Sequence, residues 1–191
     1  MIGDAFTSVL SAAQQGDEAA FARLWRDLNP PLVRYLTLGG EPAEDVAAET
    51  WATVVKGLRR FRGDEAAWRA WVFTTARRRA VDAGRRRARA ERVELGALAW
   101  PVELLARDAA DEALEHLDTA AALRLTAQLP ALQAEVVILR VVAGLPVEHV
   151  ARVVGRSPGA VRVATHRGLH RLALILERQG VTRSGAGALR E

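Results

Sequence analysis

Helical periodicity runs through this chain almost from end to end, and strand signals are nearly absent. That feature closes off most architectures, because a strand exposes one face every second residue whereas a helix repeats every 3.6. Asp17 is placed to cap a helix whose apolar positions are Phe21, Leu24, Trp25 and Leu28. Asn29-Pro30-Pro31 is expected to interrupt it, and Leu32, Val33, Tyr35 and Leu36 follow before Gly39-Gly40. From Pro42 a long helix sets Ala47, Trp51, Val54, Val55 and Leu58 along one side and Asp45, Glu49 and Lys56 along the other. After the loop FRGDE (61–65), Trp68, Val72, Ala76, Ala80 and Ala83 form the core stripe of the next helix. Nearly opposite lie Thr74, Arg78, Val81, Arg85 and Arg89, with Arg77 beside them. Further helices are expected to about Gln128, from Pro130 to Ala143, and as a close pair after that.

Charge divides the chain more sharply than its net +4 suggests. Residues 59–92 carry twelve Arg against Asp64, Glu65, Asp82 and Glu91, a local +8. Residues 93–118 carry seven acids against Arg107, a local −6, and residues 140–178 return to +5. Two anion-seeking modules on a segment that avoids anions is the physical reading. The fold class is therefore all-α: two small helical domains joined by an acidic linker, the second containing a helix-turn-helix. The expected boundaries are 1–92, 93–118 for the linker, 119–178, and a disordered tail at 179–191. The absence of Cys excludes disulfides, thiolate nucleophiles and zinc-finger ligation. MIGDAFTSVL lacks the basic start of a secretory signal, and LALIL (172–176) is far too short to span a bilayer, so the expected location is the cytoplasm, without membrane insertion.

The stretch VEHVARVVGRSPGAVRVATHRGLHRL (147–172) is the most informative. Val147, Val150, Ala151 and Val154 mark a short amphipathic helix, and Gly155 suits a left-handed stop. Ser157-Pro158 supplies an N-cap followed by proline at the first helical position. The next helix is expected to bury Val161, Ala164, Gly168, Leu172 and Ile175 while showing Gly159, Arg162, Val163, His166, Arg167 and His170. This is the grammar of a helix-turn-helix whose second helix enters the major groove. Arg162 suits bidentate contact with guanine, and Arg167 and Arg171 suit phosphates. Two packed helices with charged exteriors satisfy the same local pattern.

Taken in order, four segments resemble the extracytoplasmic-function (ECF) sigma factors, the small two-domain specificity subunits of bacterial RNA polymerase. GDEAAF (16–21) resembles the family's opening segment, and EDVAAETW (44–51) its polymerase-binding helix. WRAWVFTTARRRAVDAGRRR (68–87) resembles the promoter-melting helix, and residues 129–172 the region that reads the minus-35 element. The chain departs from the family pattern at Ala48, which leaves the polymerase contact to Asp45 and Glu49, and at Arg78 and Val163-Ala164, so neither minus-10 nor minus-35 base preference carries over from the family.

The resemblance implies that Asp45, Glu49 and Lys56 face core polymerase, although an acidic face near a helix N-terminus is also a plain dipole partner. It implies that Phe61 and Arg62, in a loop that captures a flipped base, join Arg77, Arg78, Arg85 and Arg89 on minus-10 DNA. It likewise places Ser157, Gly159, Arg162, Val163, His166, Arg167, His170 and Arg171 at the minus-35 element. Trp68 and Trp71 are spaced as core residues rather than stacking platforms. His166 and His170 stand four apart without a third ligand, so no metal is expected, and His149 reads as a surface residue. With no phosphate loop, nucleophile triad or carboxylate pair, neither cofactor nor catalysis is expected. An anti-sigma partner is a further implication of the family. The competing functions are a stand-alone helix-turn-helix regulator, which binds duplex without polymerase, and an all-helical interaction protein, which leaves the aligned arginines unexplained.

Overall fold

The computed structural model describes residues 1–39, 42–94 and 115–178, and within them eight α-helices and no strand. Most of the acidic linker and the whole tail from 179 lie outside the described residues. After a short 3-10 turn come α1 (Phe6–Gln14), α2 (Glu18–Thr37), α3 (Ala43–Leu58) and α4 (Glu65–Glu94). The second half holds α5 (Glu115–Ala127), α6 (Ala131–Val137), a π-helical segment (Ile138–Val142), α7 (Val147–Val154) and α8 (Pro158–Arg178).

Asp17 caps α2 as expected, its Oδ1 accepting the Ala20 N–H at 2.9 Å. The expected interruption at Pro30-Pro31 does not occur: α2 runs straight through it. Proline already holds a helical φ, and the price of its missing N–H and its clash is about 3 kcal/mol. Against that, Leu24, Leu28, Leu32 and Leu36 line one face at no more than 1 % exposure. Each such burial contributes about 1.5–3 kcal/mol, so the apolar stripe outweighs the proline pair. Asn29 also accepts from the Trp51 indole at 2.9 Å, fastening this turn to α3.

Asp64 caps α4, its carboxylate accepting from the Ala67 N–H at 2.7 Å. Trp68, Val72, Phe73, Ala76 and Ala80 are buried along α4, while Ala83 is only partly covered. Two other apolar positions depart from expectation: Val55 is 51 % exposed and Trp25 41 %. One residue is 100° of helical rotation, so a buried stripe through Ala47, Trp51, Val54 and Leu58 leaves Val55 outside it.

The expected single helix from Pro130 to Ala143 instead widens after Val137 into the π-helical segment, where the Ala143 N–H reaches back five residues to the Ile138 carbonyl at 3.0 Å. Ile138, Leu139, Ala143 and Leu145, in and just after this segment, are all buried. Gly155 stops α7 at φ 67°, a left-handed geometry that suits glycine. The Ser157 hydroxyl then accepts the Ala160 N–H at the start of α8.

The two halves share one continuous core, in which Phe73 and Ala76 of α4 join Val136, Leu139 and Val150 of the second half. Polar joints reinforce it. Arg69, 4 % exposed, pairs with Asp27 and donates from Nε to the Ala143 carbonyl at 2.9 Å. Glu135 of α6 accepts from the Tyr35 hydroxyl at 2.9 Å and from Arg77 Nε at 2.8 Å.

Candidate nucleic-acid interface

The first candidate surface is on α3. Asp45, Ala48, Glu49, Ala52, Val55 and Lys56 make one exposed stripe, so Asp45, Glu49 and Lys56 share a face. Val55 belongs to this face as well, an apolar member that its neighbours in sequence disguise as core. Glu49 is not isolated: Arg86 Nη2 of α4 approaches Oε1 at 3.3 Å. One turn on, Arg79 donates to the Thr53 hydroxyl at 2.9 Å. The acidic face of α3 is thus stitched along its edge to the arginine-rich helix.

On α4 the arginines separate into two groups. Arg78, Arg85 and Arg89 are exposed. Arg77 turns instead toward the second half, where the Glu135 hydrogen bond raises its pKa despite partial burial. Burial first, and then the adjacent Glu135 carboxylate, pushes the Tyr35 phenol well above its ordinary 10. Thr74 and Val81 are half-covered on the same side. The stripe expected to face away from the core is therefore shared between solvent and the α6 surface.

Phe61 lies in an aromatic cluster, stacked on Trp71 with centroids 5.2 Å apart and edge-on to Trp68 at 5.4 Å. Trp68 is a core residue at 1 % exposure. Trp71 lies over Gly57, where even a Cβ would meet the indole at 2.8 Å. Gln14, a residue that sequence reasoning passed over, donates at 2.9 Å to the carbonyls of Leu58 and Phe61 and so holds the loop's entry. Arg62 is exposed, its Nη1 bonded to the carbonyls of Arg59 and Phe61.

On α8 the inner and outer faces divide over its first half, whereas Leu172 and Ile175, expected in the core, are only partly covered. Val161, Ala164 and Gly168 are buried; Ser157, Gly159, Arg162, Val163, His166, Arg167, His170 and Arg171 are exposed. Gly168 permits the close crossing of α6, since a Cβ there would stand 2.8 Å from Val137 Cγ2. Two outward arginines have neighbours: Arg162 pairs with Glu148 of α7 at 3.2 Å, and Arg171 donates to Gln133 of α6 at 3.3 Å. His149 is partly covered rather than fully at the surface, and its Nδ1 is buried without a hydrogen-bond partner. Burial, and then Arg152, lowers its pKa, with Asp64 and Glu148 opposing. Among the described residues no three potential metal ligands gather, and no helix is long and apolar enough to cross a membrane.

Comparison with known proteins gives this geometry a family. Residues 31–90 match sigma-70 region 2, and residues 119–172 match sigma-70 region 4. The chain is 34 % identical over 185 residues to the ECF RNA polymerase sigma factor SigD of Mycobacterium tuberculosis, covering 90 % of this chain and 84 % of that one. It is 33 % identical over 189 residues to the ECF RNA polymerase sigma factor ShbA of Streptomyces griseus, covering 90 % and 97 %. Among solved structures, CnrH in complex with the cytosolic domain of CnrY aligns at TM-score 0.62 and 22 % identity over 92 % of this chain and 99 % of that one. The sigma factor RpoE of Bartonella quintana, in complex with the anti-sigma factor NepR, aligns at 0.63 and 23 %, over 82 % and 96 %. Two sigma-70 regions in order, and relatives matched over most of their length, make this chain an ECF sigma factor, a promoter-recognition subunit of RNA polymerase.

Proposed function

We propose that three surfaces divide the work of this sigma factor. The exposed α3 stripe, with Asp45, Glu49 and Lys56, docks on core polymerase. Arg78, Arg85 and Arg89 hold the backbone of minus-10 DNA as the strands part, with Phe61 and Arg62 at the loop that meets the displaced base. The outer face of α8 reads the minus-35 element from the major groove. The observation that carries this reading is the α8 face itself, a basic helix exposed along the residues that a groove would meet, behind a capped N-terminus. The chain contributes binding and orientation, and the polymerase contributes the chemistry, so the protein acts where polymerase and DNA are, in the cytoplasm.

The two DNA elements lie about 25 base pairs apart by their own labels, or about 85 Å at some 34 Å per helical turn. Two halves sharing one core do not reach both, so promoter binding separates them. An anti-sigma factor for this chain would act by holding the packed arrangement.

The test is in vitro transcription by core polymerase with this protein on a library of genomic fragments. Initiation at defined sites sharing two elements is the expected result. Tight binding to duplex by the protein alone, with no initiation when polymerase is added, overturns it.

A further inference from the structure

Residues 140–178 are strongly basic, and Glu148 and Glu177 are the sole acids among them. Glu148 stands on α7, yet its carboxylate reaches Arg162 Nη2 of α8 at 3.2 Å across the helix-turn-helix. Both side chains are 62 % exposed. Solvent screens such a pair, so it adds little to stability. An acid at this place also repels the phosphates that the rest of the module attracts. Its position in the first turn of α7 complements the helix dipole, but that role requires no contact with α8.

What the contact does govern is the orientation of a guanidinium. Arg carries its donors in a fixed planar fork on a long stem with much rotamer freedom. Unheld, the fork serves any phosphate within reach; held at one Nη, it presents its remaining donors in one direction, with less entropy to lose on contact. Arg162 lies in the first turns of α8, the part of a recognition helix that reaches base edges. We propose that Glu148 is a positioning residue for base readout: it aims Arg162 at one base of the upstream element and discourages indiscriminate phosphate binding. This rests on the reading of α8 as the minus-35 reader.

The two effects have opposite signs, which a merely structural role does not produce. Holoenzyme assembled from core polymerase and the full chain is equilibrated with promoters randomised in the upstream element, and bound and free fractions are sequenced. Arg162→Ala first marks the base position that Arg162 reads. Glu148→Gln, at an exposed site, is expected to weaken preference at that same position by about threefold, part of what one bidentate contact supplies. Binding to non-promoter duplex should tighten, and in the Arg162→Ala background Glu148→Gln should alter preference no further; non-promoter binding that weakens or stays the same counts against the proposal. The proposal is overturned if Glu148→Gln leaves that preference intact, or weakens all positions alike. If Arg162→Ala itself shifts no base preference, the assignment of Arg162 as a reader falls, and the positioning role falls with it.

Discussion

Glu135 is the acid whose removal should most disturb the joint between the two halves. Its side chain is 21 % exposed, and its Oε1 takes both the Tyr35 hydroxyl and Arg77 Nε. In Glu135→Ala the buried Tyr35 hydroxyl, 100 residues away in sequence, loses its acceptor. Stranding a buried donor costs about 1–3 kcal/mol. The Arg77 side chain is 39 % exposed, so water replaces its partner and its share is about 0.2–1 kcal/mol. Relief of the acid's own partial desolvation offsets some of this, leaving a net loss of about 2 kcal/mol. For a protein of this size that is about 4–8 °C in Tm. Thermal and urea unfolding of wild type, Glu135→Ala, Tyr35→Phe and the double variant measure it as a cycle. Because Tyr35→Phe removes the donor that Glu135→Ala strands, the double variant should cost less than the sum of the singles by about 1 kcal/mol. Strict additivity, or a Glu135→Ala variant as stable as wild type, would refute the account of the joint.

Three further outcomes are expected. The Tyr35 pKa is raised in the fold, so its contribution to stability is complete below about pH 10 and is lost as pH climbs from there toward the folded value; Tyr35→Phe should flatten the alkaline limb of a Tm–pH profile. His149 is shifted the other way, so its contribution is present above about pH 6.5 and lost as pH falls through its depressed value; His149→Gln should be less sensitive to acid than wild type. Arg78→Ala with Arg85→Ala, both at exposed sites on α4, should leave the fold and the minus-35 preference intact while reducing open-complex formation. Permanganate reactivity of the melted strands reads this directly, and normal melting in the double variant counts against the minus-10 assignment.

Much of the local structure is legible in the sequence. The Asp17 and Ser157 caps, the Gly155 stop and the two faces of α8 depend on residues three or four apart, and their periodicity is written along the chain. The candidate α8 surface was legible for the same reason, because a helix that buries Val161, Ala164 and Gly168 has no choice about where Arg162 and His166 point. Val55 reads as core by hydrophobicity yet is exposed, because composition alone does not reveal which edge of a stripe has a neighbour.

By itself, then, the sequence determined an all-helical chain, its caps and stops, and the alternation of basic and acidic blocks. The tertiary structure alone decided that α2 passes through Pro30-Pro31, that α6 gives way to a π turn, and that Phe61 stacks on Trp71. It also decided that Arg77 meets Glu135 and that Glu148 reaches Arg162. Helical pattern and capping are short-range and recur with a fixed period. The partner of a given arginine, or the packing that sustains a proline pair inside a helix, is set by surfaces that only the folded chain brings together.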